Sequence, residues 1–440
     1  MSAIRTIQMG SPGGESQLEA LLEVLRDGGL LGADAASDLD VPKVVSEILE
    51  EVRSGGDEAA ARLTSRFDRA SVSPESLRVP TELIAKSHAE AEPDFLALMR
   101  RAIANIRAYQ EHILVKAPAP LQRGGRKLGV RYTPIERAAV YVPGGQALYP
   151  STVLMTVVPA QVAGVREIVM VSPPTGGEIN SMALALAGEL GISEVYRLGG
   201  AVAVAAMAYG TESIPAVHKI VGPGNAFVAE AKRQLFGRVG IDSIAGPSEV
   251  VIVADESARA DWIAADLLAQ AEHNPGSAVL ITPSPDLATE VGKALEAQLG
   301  ELDRADVIRP ALESYGAIVV TSDLPAACSI ANRFAPEHLQ IMTREDSACV
   351  EAIEHAGAIF LGGNTSVPLG DYLAGPSHVL PTGGTARFFG PLSCNDFVVA
   401  SSLLEYDEES AALDADDVDD FATREGLTAH ARAARIRKPE

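Results

Sequence analysis

An alternation of short apolar runs with helical segments constrains this chain more than any single motif. From Arg126 to Asp242 the strand-like runs Ala138–Val142, Glu167–Val171 and Lys219–Val221 alternate with helical segments, among them Met182–Leu190 and Ala201–Tyr209. A second such stretch follows. Glu249–Val253, Ala278–Ile281, Ala317–Val320, Leu339–Met342 and Ala358–Leu361 read as strands, with helices Ala258–Glu272, Asp286–Leu299 and Cys349–His355 between them. That pattern is the mark of repeated βαβ units and parallel sheets, so two α/β domains in tandem are expected. Ahead of them, about Leu18 to Leu114 carries mostly helical periodicity. Ser46–Arg53, with apolar residues at three-to-four spacing, is representative. No short-period repeat occurs, which excludes a solenoid.

Past Pro391 the pattern weakens. Glu405 to Asp420 carries many acids and no basic residue, as a solvated linker or an exposed helix would. Glu425 to Arg437 then resumes a helical pattern with an Arg-rich end that suits the helix dipole. Such a tail is either a frayed terminus or an arm that docks elsewhere, at times on a partner subunit. Over 440 residues, 36 Lys and Arg stand against 59 Asp and Glu, a formal charge of −23. Nucleic acid and anionic membranes are poor partners for that surface, whereas a small cationic ligand is attracted to it. No apolar run approaches the ~18–20 residues of a membrane span, and the opening residues lack the apolar core of a signal peptide, so a cytoplasmic chain is expected. The three cysteines, Cys328, Cys349 and Cys394, are odd in number and form no CxxC pair. This argues against a disulfide framework and against a thiolate zinc site.

Neither standard phosphate-binding glycine fingerprint is present. Instead Val142-Pro-Gly-Gly145, Leu198-Gly-Gly-Ala201 and Val221-Gly-Pro-Gly-Asn225 each follow a strand candidate. Each alone is an ordinary β-to-α turn; three in one domain suit a nucleotide-sized ligand at the carboxyl ends of the strands. Gln270-Ala-Glu-His273 ends a helix, and residues three apart share a face and can grip one ion, although the pair alone equally reads as helix-end polarity. Asp371 and His378 lie on irregular Gly- and Pro-rich stretches, and His430 lies on the tail. Such a Gln/His/Asp/His set is compatible with an N/O-ligated divalent ion. In Ala335-Pro-Glu337-His338-Leu339 a carboxylate and an imidazole stand side by side before a strand. Such a pair can divide acid–base work, and by itself it can also be a solvated turn.

Taken together these motifs are recognisable. Tyr141-Val-Pro-Gly-Gly145, Gly222-Pro-Gly-Asn225-Ala-Phe, Ala245-Gly-Pro-Ser248-Glu, Gln270-Ala-Glu-His273, Pro336-Glu337-His338-Leu, Gly370-Asp371-Tyr372, Ser377-His378-Val-Leu-Pro-Thr382 and Glu425-Gly-Leu-Thr-Ala-His430 occur in this order. The chain resembles the histidinol dehydrogenase family over about Ala36 to Arg437. The resemblance implies a zinc- and NAD-dependent four-electron oxidation of L-histidinol to L-histidine through bound L-histidinaldehyde, the last step of histidine biosynthesis. It implies one zinc per subunit on Gln270, His273, Asp371 and His430, with His430 and Glu425 supplied by the partner in an intertwined homodimer. Glu337 and His338 are then the acid–base residues. Ser248, His378 and Glu425, together with the zinc ligands and His338, contact substrate, and Tyr141, Val202 and Asn225 fall on the NAD side.

The implied fold is α/β, with two tandem Rossmann-like parallel-sheet domains plus small N-terminal helical and C-terminal arm segments. The expected boundaries are a helical segment over 1–35, a discontinuous α/β domain over 36–140 and 250–387, an NAD-side α/β domain over 141–249, and an arm over 388–440. Family members commonly read Gly-Gly-Ala-Gln-Ala where this chain has Gly199-Gly-Ala-Val202-Ala, so an amide that would help hold the dinucleotide is missing. Asn274 and Cys394 also depart from the family pattern. Two rival readings are a paralogue oxidising another small polyol, such as a sulfopropanediol, and a zinc- and ligand-binding regulator without catalysis. Ser248, His378 and the Glu425–His430 tail favour the imidazole substrate, and the Glu337-His338 pair argues against the regulator.

Overall fold

The computed structural model describes residues 4–26, 39–144, 150–273 and 276–438; Gly145 and Asn274, named above, lie outside them. In chain order the strands are β1 (Arg5–Gln8), β2 (Leu121–Arg123), β3 (Arg126–Pro134), β4 (Arg137–Tyr141), β5 (Glu167–Ser172), β6 (Val195–Arg197) and β7 (Lys219–Val221). They continue with β8 (Gly240–Ile241), β9 (Ser248–Ala254), β10 (Gly276–Thr282), β11 (Ala317–Val320), β12 (His338–Met342), β13 (Ala358–Leu361) and β14 (Val398–Tyr406). Two parallel sheets result, a five-stranded one in the order β6-β5-β4-β7-β8 and a six-stranded one in the order β1-β11-β10-β9-β12-β13. The α/β class and the two Rossmann-like sheets are as expected.

Each sheet is buried on both faces, as parallel sheets covered by crossover helices must be. The two-residue side-chain period divides each strand between two cores. In β4, Ala139 and Tyr141 join one cluster while Ala138 and Val140 join the other. In β9, Val250 and Ile252 face one side and Val251 and Val253 the opposite one. On the five-stranded sheet the first face is covered by Val41–Phe67, kinked at Gly56, together with Gly200–Tyr209 and Ala226–Leu235. Pro93–Ile113 and Pro150–Ala163 cover the second.

Three expectations need correction. Residues 1–35 are not simply helical: Arg5–Gln8 is a strand that pairs with β11, and the Gly14–Arg26 helix follows it. A four-residue strand is too short to register as periodicity. Residues 36–140 do not group with 250–387. Val45, Leu49 and Val52 of the kinked helix share one core cluster with Tyr141 and Ile220, the helix packs on Gly200–Tyr209 and Ala226–Leu235, and β4 is the central strand of the five-stranded sheet, so this segment belongs with 141–241. Ser248 and Glu249 in turn open β9 of the other sheet. Finally, a third sheet, antiparallel β14-β3-β2, joins the chain after Pro391 to the segment before β4. The acidic stretch is the exposed-helix alternative, Glu408–Arg424, and the tail helix is Thr428–Arg435. Arg126 holds the first of these through Asp414, with Nε at 2.8 Å from Oδ2.

Candidate active site

One cavity of about 1140 Å³ lies where the two parallel sheets meet. From the five-stranded sheet it is lined by turns that follow strands: Tyr141 to Gly144, Gly199 to Val202 and Pro223 to Phe227. From the six-stranded sheet it is lined by residues that precede or open strands: Ser248 of β9, His273 before β10, and Glu337 and His338 at the start of β12. The cavity thus joins carboxyl ends of one sheet to amino ends of the other. The usual rule, which places ligands at carboxyl ends, describes only half of it.

Glu337 and His338 owe their position to the end of the Leu324–Phe334 helix. Ala335 caps that helix in the left-handed region at φ 48°, and Pro336 ends it. The chain then enters β12, flanked on both sides by parallel neighbours. Both side chains are buried. Oε2 of Glu337 accepts from Ser248 Oγ at 2.6 Å and from the Glu249 N–H at 2.8 Å. Ser248 Oγ in turn accepts from Gln270 Nε2 at 2.8 Å, which makes a short relay from Gln270 to Glu337. Nδ1 of His338 lies 3.1 Å from the Glu249 carbonyl oxygen, to which it donates, and 3.4 Å from Glu337 Oε2. Nε2 is buried without a hydrogen-bond partner and stands 3.7 Å from Asp371 Oδ1. Burial works against the charged imidazolium, but the carboxylates of Glu337 and Asp371 outweigh it and push His338 up to about 10. Burial likewise opposes ionisation of Asp371, yet His338 holds it below the ordinary carboxylate range.

Gln270 is in the last turn of the Ala260–Ala271 helix, and His273 lies just past its end, its N–H closing on the Gln270 carbonyl at 3.2 Å. Because Gln270 directs Nε2 to Ser248, its Oε1 is the atom left to act as a ligand. Asp371 sits in the π-helical turn Gly370–Ala374, and its carbonyl faces His378 Nδ1 at 3.0 Å. Burial holds His378 below the usual imidazole range, so it is neutral near pH 7. His273 and Asp371 line the cavity and Gln270 lies behind Ser248, and these three are N/O donors of the kind that could hold zinc with one further ligand. Among the described residues no group of three or more His, Cys, Asp or Glu is ready to hold a metal. His430 and Glu425 are exposed on the tail and are not part of this chain's cavity.

On the opposite side Tyr141 closes β4, buried, and its hydroxyl accepts from the Gly200 N–H at 3.1 Å. Burial pushes the phenol up to about 12. Asn225 caps the Ala226–Leu235 helix, its Oδ1 accepting from the N–H groups of Phe227 and Val228. Gly222 has φ 114°, and a Cβ there would run into the Tyr141 carbonyl. Two helix N-termini, at Gly200 and Ala226, therefore face the cavity, as an anion such as a pyrophosphate requires. Val202, on the first turn of the Gly200–Tyr209 helix, lines the cavity but is only 2% exposed. Cys394, by contrast, is packed in the core against Gln110.

The structure thus brings Tyr141, Val202, Asn225, Ser248, His273, Glu337, His338, Asp371 and His378 to one cavity, with Gln270 directly behind Ser248. Asp68, which burial raises to about 6, also lines it and was not singled out from the sequence. The contacts of Glu249 with the pair were equally unforeseen; the available signal was an acid at the head of the apolar run Val250–Val253.

A family model described as histidinol dehydrogenase matches residues 33–438. The histidinol dehydrogenase of Rhodopirellula baltica is 53% identical over 396 residues, which is 90% of this chain and 86% of that one. That of Geobacillus kaustophilus is 50% identical over 397 residues, 90% of this chain and 93% of that one. The crystal structure of histidinol dehydrogenase from Elizabethkingia anophelis superposes with a TM-score of 0.91 at 30% identity, covering 99% of this chain and 98% of that chain.

Proposed function

The chain belongs to the histidinol dehydrogenase family, an oxidoreductase of histidine biosynthesis, and on that premise we propose that it oxidises L-histidinol to L-histidine with two NAD and one zinc. The observation that carries this reading is the buried, unpartnered His338 Nε2 beside a Glu337 carboxylate held by Ser248 and the Glu249 N–H. Once neutral, His338 can accept a proton at Nε2 next to a group that can activate water.

Zinc held by Gln270, His273, Asp371 and His430 of a second subunit would supply a Lewis-acid anchor for the substrate's amino and imidazole nitrogens. Neutral His378 and Ser248 border the same space and orient the imidazole ring. In the first half-reaction the alcohol's hydride leaves for NAD while His338 takes the hydroxyl proton at Nε2. His338 must be neutral to do so, and its Nδ1–H bond to the Glu249 carbonyl keeps Nε2 as the free lone pair. A zinc held by Asp371 would offset one of the two carboxylate charges that hold the imidazole protonated. Glu337 then accepts a proton from water as that water adds to the bound aldehyde, while His338 returns its proton to the former carbonyl oxygen and is neutral again. His338 accepts the proton of the resulting hydrate as the second hydride leaves. Tyr141 and Asn225 act by shaping the glycine-rich turns around the dinucleotide.

The tail supports a homodimer. Val399, Leu404, Leu413, Val418, Phe421 and Ile436 are exposed on β14 and the tail helices. Apolar surface of that kind, on a segment that also exposes Glu425 and His430, is covered when two arms exchange between copies. No helix among the described residues is long and apolar enough to cross a membrane. We place the reaction in the cytoplasm, where the buried thiols of Cys328, Cys349 and Cys394 stay reduced.

The test is NADH formed per molecule of L-histidinol by zinc-loaded protein, with two expected. Free aldehyde after one NADH, or activity confined to a sulfonated diol, overturns the reading. His338→Asn is expected to slow both half-reactions by ~10²–10⁴-fold and Glu337→Gln mainly the aldehyde half. Equal loss in both halves for Glu337→Gln contradicts the assignment of roles.

A further inference from the structure

Glu249 hydrogen-bonds to both members of the Glu337-His338 pair, and the reaction as described gives its side chain no task. It follows Ser248 in β9, where buried parallel strands ordinarily carry aliphatic residues, and it is itself buried. Main chain and side chain alike are engaged. Its N–H donates to Glu337 Oε2 at 2.8 Å, and its carbonyl accepts from His338 Nδ1 at 3.1 Å. Its Oε1 accepts from the Glu337 N–H at 3.3 Å and from the Gly383 N–H at 3.0 Å. Gly383 and Gly384 form a left-handed turn at φ 61° and 76°. The hydroxyl of the preceding residue, Thr382, accepts from the Gly246 N–H on the cavity wall. One carboxyl therefore ties together the three segments that frame the acid–base pair: residues 246–249, 337–338 and 382–384.

We propose that Glu249 is a positioning residue for the oxidation, whose Oε1, as a shared acceptor, holds the Glu337 backbone and the Gly383 turn so that Glu337 and His338 face one substrate. The proposal rests on the reading of Glu337 and His338 as the acid–base pair. Both side-chain contacts use a carboxyl oxygen as acceptor of a backbone N–H, so the role needs an acceptor and not a charge. Burial and then the neighbouring Glu337 charge push Glu249 up to about 8, which keeps it neutral near pH 7. The charged and titratable groups around it are Glu337, His338 and the Arg387 guanidinium, which lies within electrostatic reach. As pH rises through about 8, the proton leaves Glu249 and a second negative charge appears beside Glu337.

The experiment compares Glu249→Gln with Glu249→Met in zinc-loaded, full-length enzyme, measuring kcat and KM on L-histidinol and on L-histidinaldehyde from pH 6.5 to 9.5. Methionine keeps the volume and removes the acceptor. It is expected to lower kcat on both substrates by about 10–100-fold, the scale of a small misplacement of reacting groups, with KM for NAD unchanged. Glutamine keeps the acceptor and is expected to rescue kcat at pH 7 to within about threefold of the parent. It should also extend activity on the alkaline side, where the parent is expected to decline as Glu249 loses its proton through about pH 8. Glutamine as slow as methionine, methionine as fast as the parent, or the same alkaline limb for Glu249→Gln and the parent overturns the proposal. If Glu249→Met does not fold, the rate and alkaline limb of Glu249→Gln decide alone. Glu337→Gln run alongside separates the two readings. Equal loss on both substrates there removes the acid–base roles, whereas a normal Glu337→Gln pattern without the Gln/Met contrast removes only the positioning role.

Discussion

Lys232 and Asp242 form a buried ion pair beneath the glycine-rich turn Gly222–Asn225. Their side chains are 2% and 4% exposed, and Lys232 Nζ lies 2.5 Å from Asp242 Oδ1. Nζ also donates to the Gly222 carbonyl at 2.7 Å, while Asp242 Oδ2 accepts from the Gly222 N–H at 2.7 Å. The pair thus clasps both polar groups of the one residue whose φ of 114° no β-carbon would allow against Tyr141. Lys232→Met keeps the stem and removes the charge. Asp242 is then left with one N–H donor and with Lys219, whose ammonium is depressed by burial and already donates to the Asp396 carbonyl. Stripping one partner from a buried pair costs about 3–5 kcal/mol. The segment that must unfold, roughly residues 39–241, has about 200 residues, for which each kcal/mol lowers the midpoint by ~2–4 °C. The expected fall in its calorimetric transition is therefore about 6–20 °C. NAD affinity, read by tryptophan-independent titration calorimetry below that transition, is expected to weaken as the turn loosens. Lys232→Met/Asp242→Leu removes both charges and should recover most of the lost stability, a coupling of at least about 2 kcal/mol. A single variant as stable as the parent, or a double variant no better than the single, refutes the clasp.

Val202→Gln is expected to tighten NAD by roughly two- to twelvefold, the worth of one neutral hydrogen bond, without changing L-histidinol affinity. Titration showing no tightening, with a lower unfolding midpoint, means that the added amide is buried in the core instead of reaching the cofactor. Refolding a His430→Ala chain together with a Glu337→Gln/His338→Asn chain should restore up to about a quarter of parental activity, because one site of each heterodimer is whole. No recovery in heterodimers shown to have formed means that each tail serves its own subunit.

The strands that the sequence displays best are those with nothing but apolar residues. Val250–Val253 and Ala317–Val320 are buried on both faces, so composition alone marks them. β3 and β14 fail that test because they pair only with each other and β2 and lie largely open, which leaves polar and apolar residues interspersed along them. The grouping of 36–140 was hidden for a different reason. Helical periodicity in Val41–Phe67 reveals an apolar face but not which sheet receives it, and that choice is fixed by its packing on the Gly200–Tyr209 and Ala226–Leu235 helices of the five-stranded sheet. At the site, residue type and order were legible for Glu337, His338, Asp371 and His378. Whether they converge was not, since spacing along a chain carries no distance across a cavity. The relay from Gln270 through Ser248 joins three segments and could be seen only once β9 and β12 were paired.

The first strand among the described residues belongs to the parallel sheet that is completed later. Arg5 lies against Gly316, 311 positions along the chain, with its Nε 3.1 Å from that carbonyl, and β1 occupies the outer edge next to β11. During synthesis β1 emerges without a neighbour and stays unpaired until β11 has followed, whereas β4 to β8 assemble from consecutive chain. Closing so distant a contact is slow, because the loop entropy is lost before the pairing is gained. Until then the β11 edge is open to strands of other chains, and β1 acts as the late cover that ends this exposure. A bulky fusion ahead of Arg5 would therefore burden the yield of folded enzyme and the length of its aggregation-prone stage, while turnover by molecules that finish folding stays unaltered.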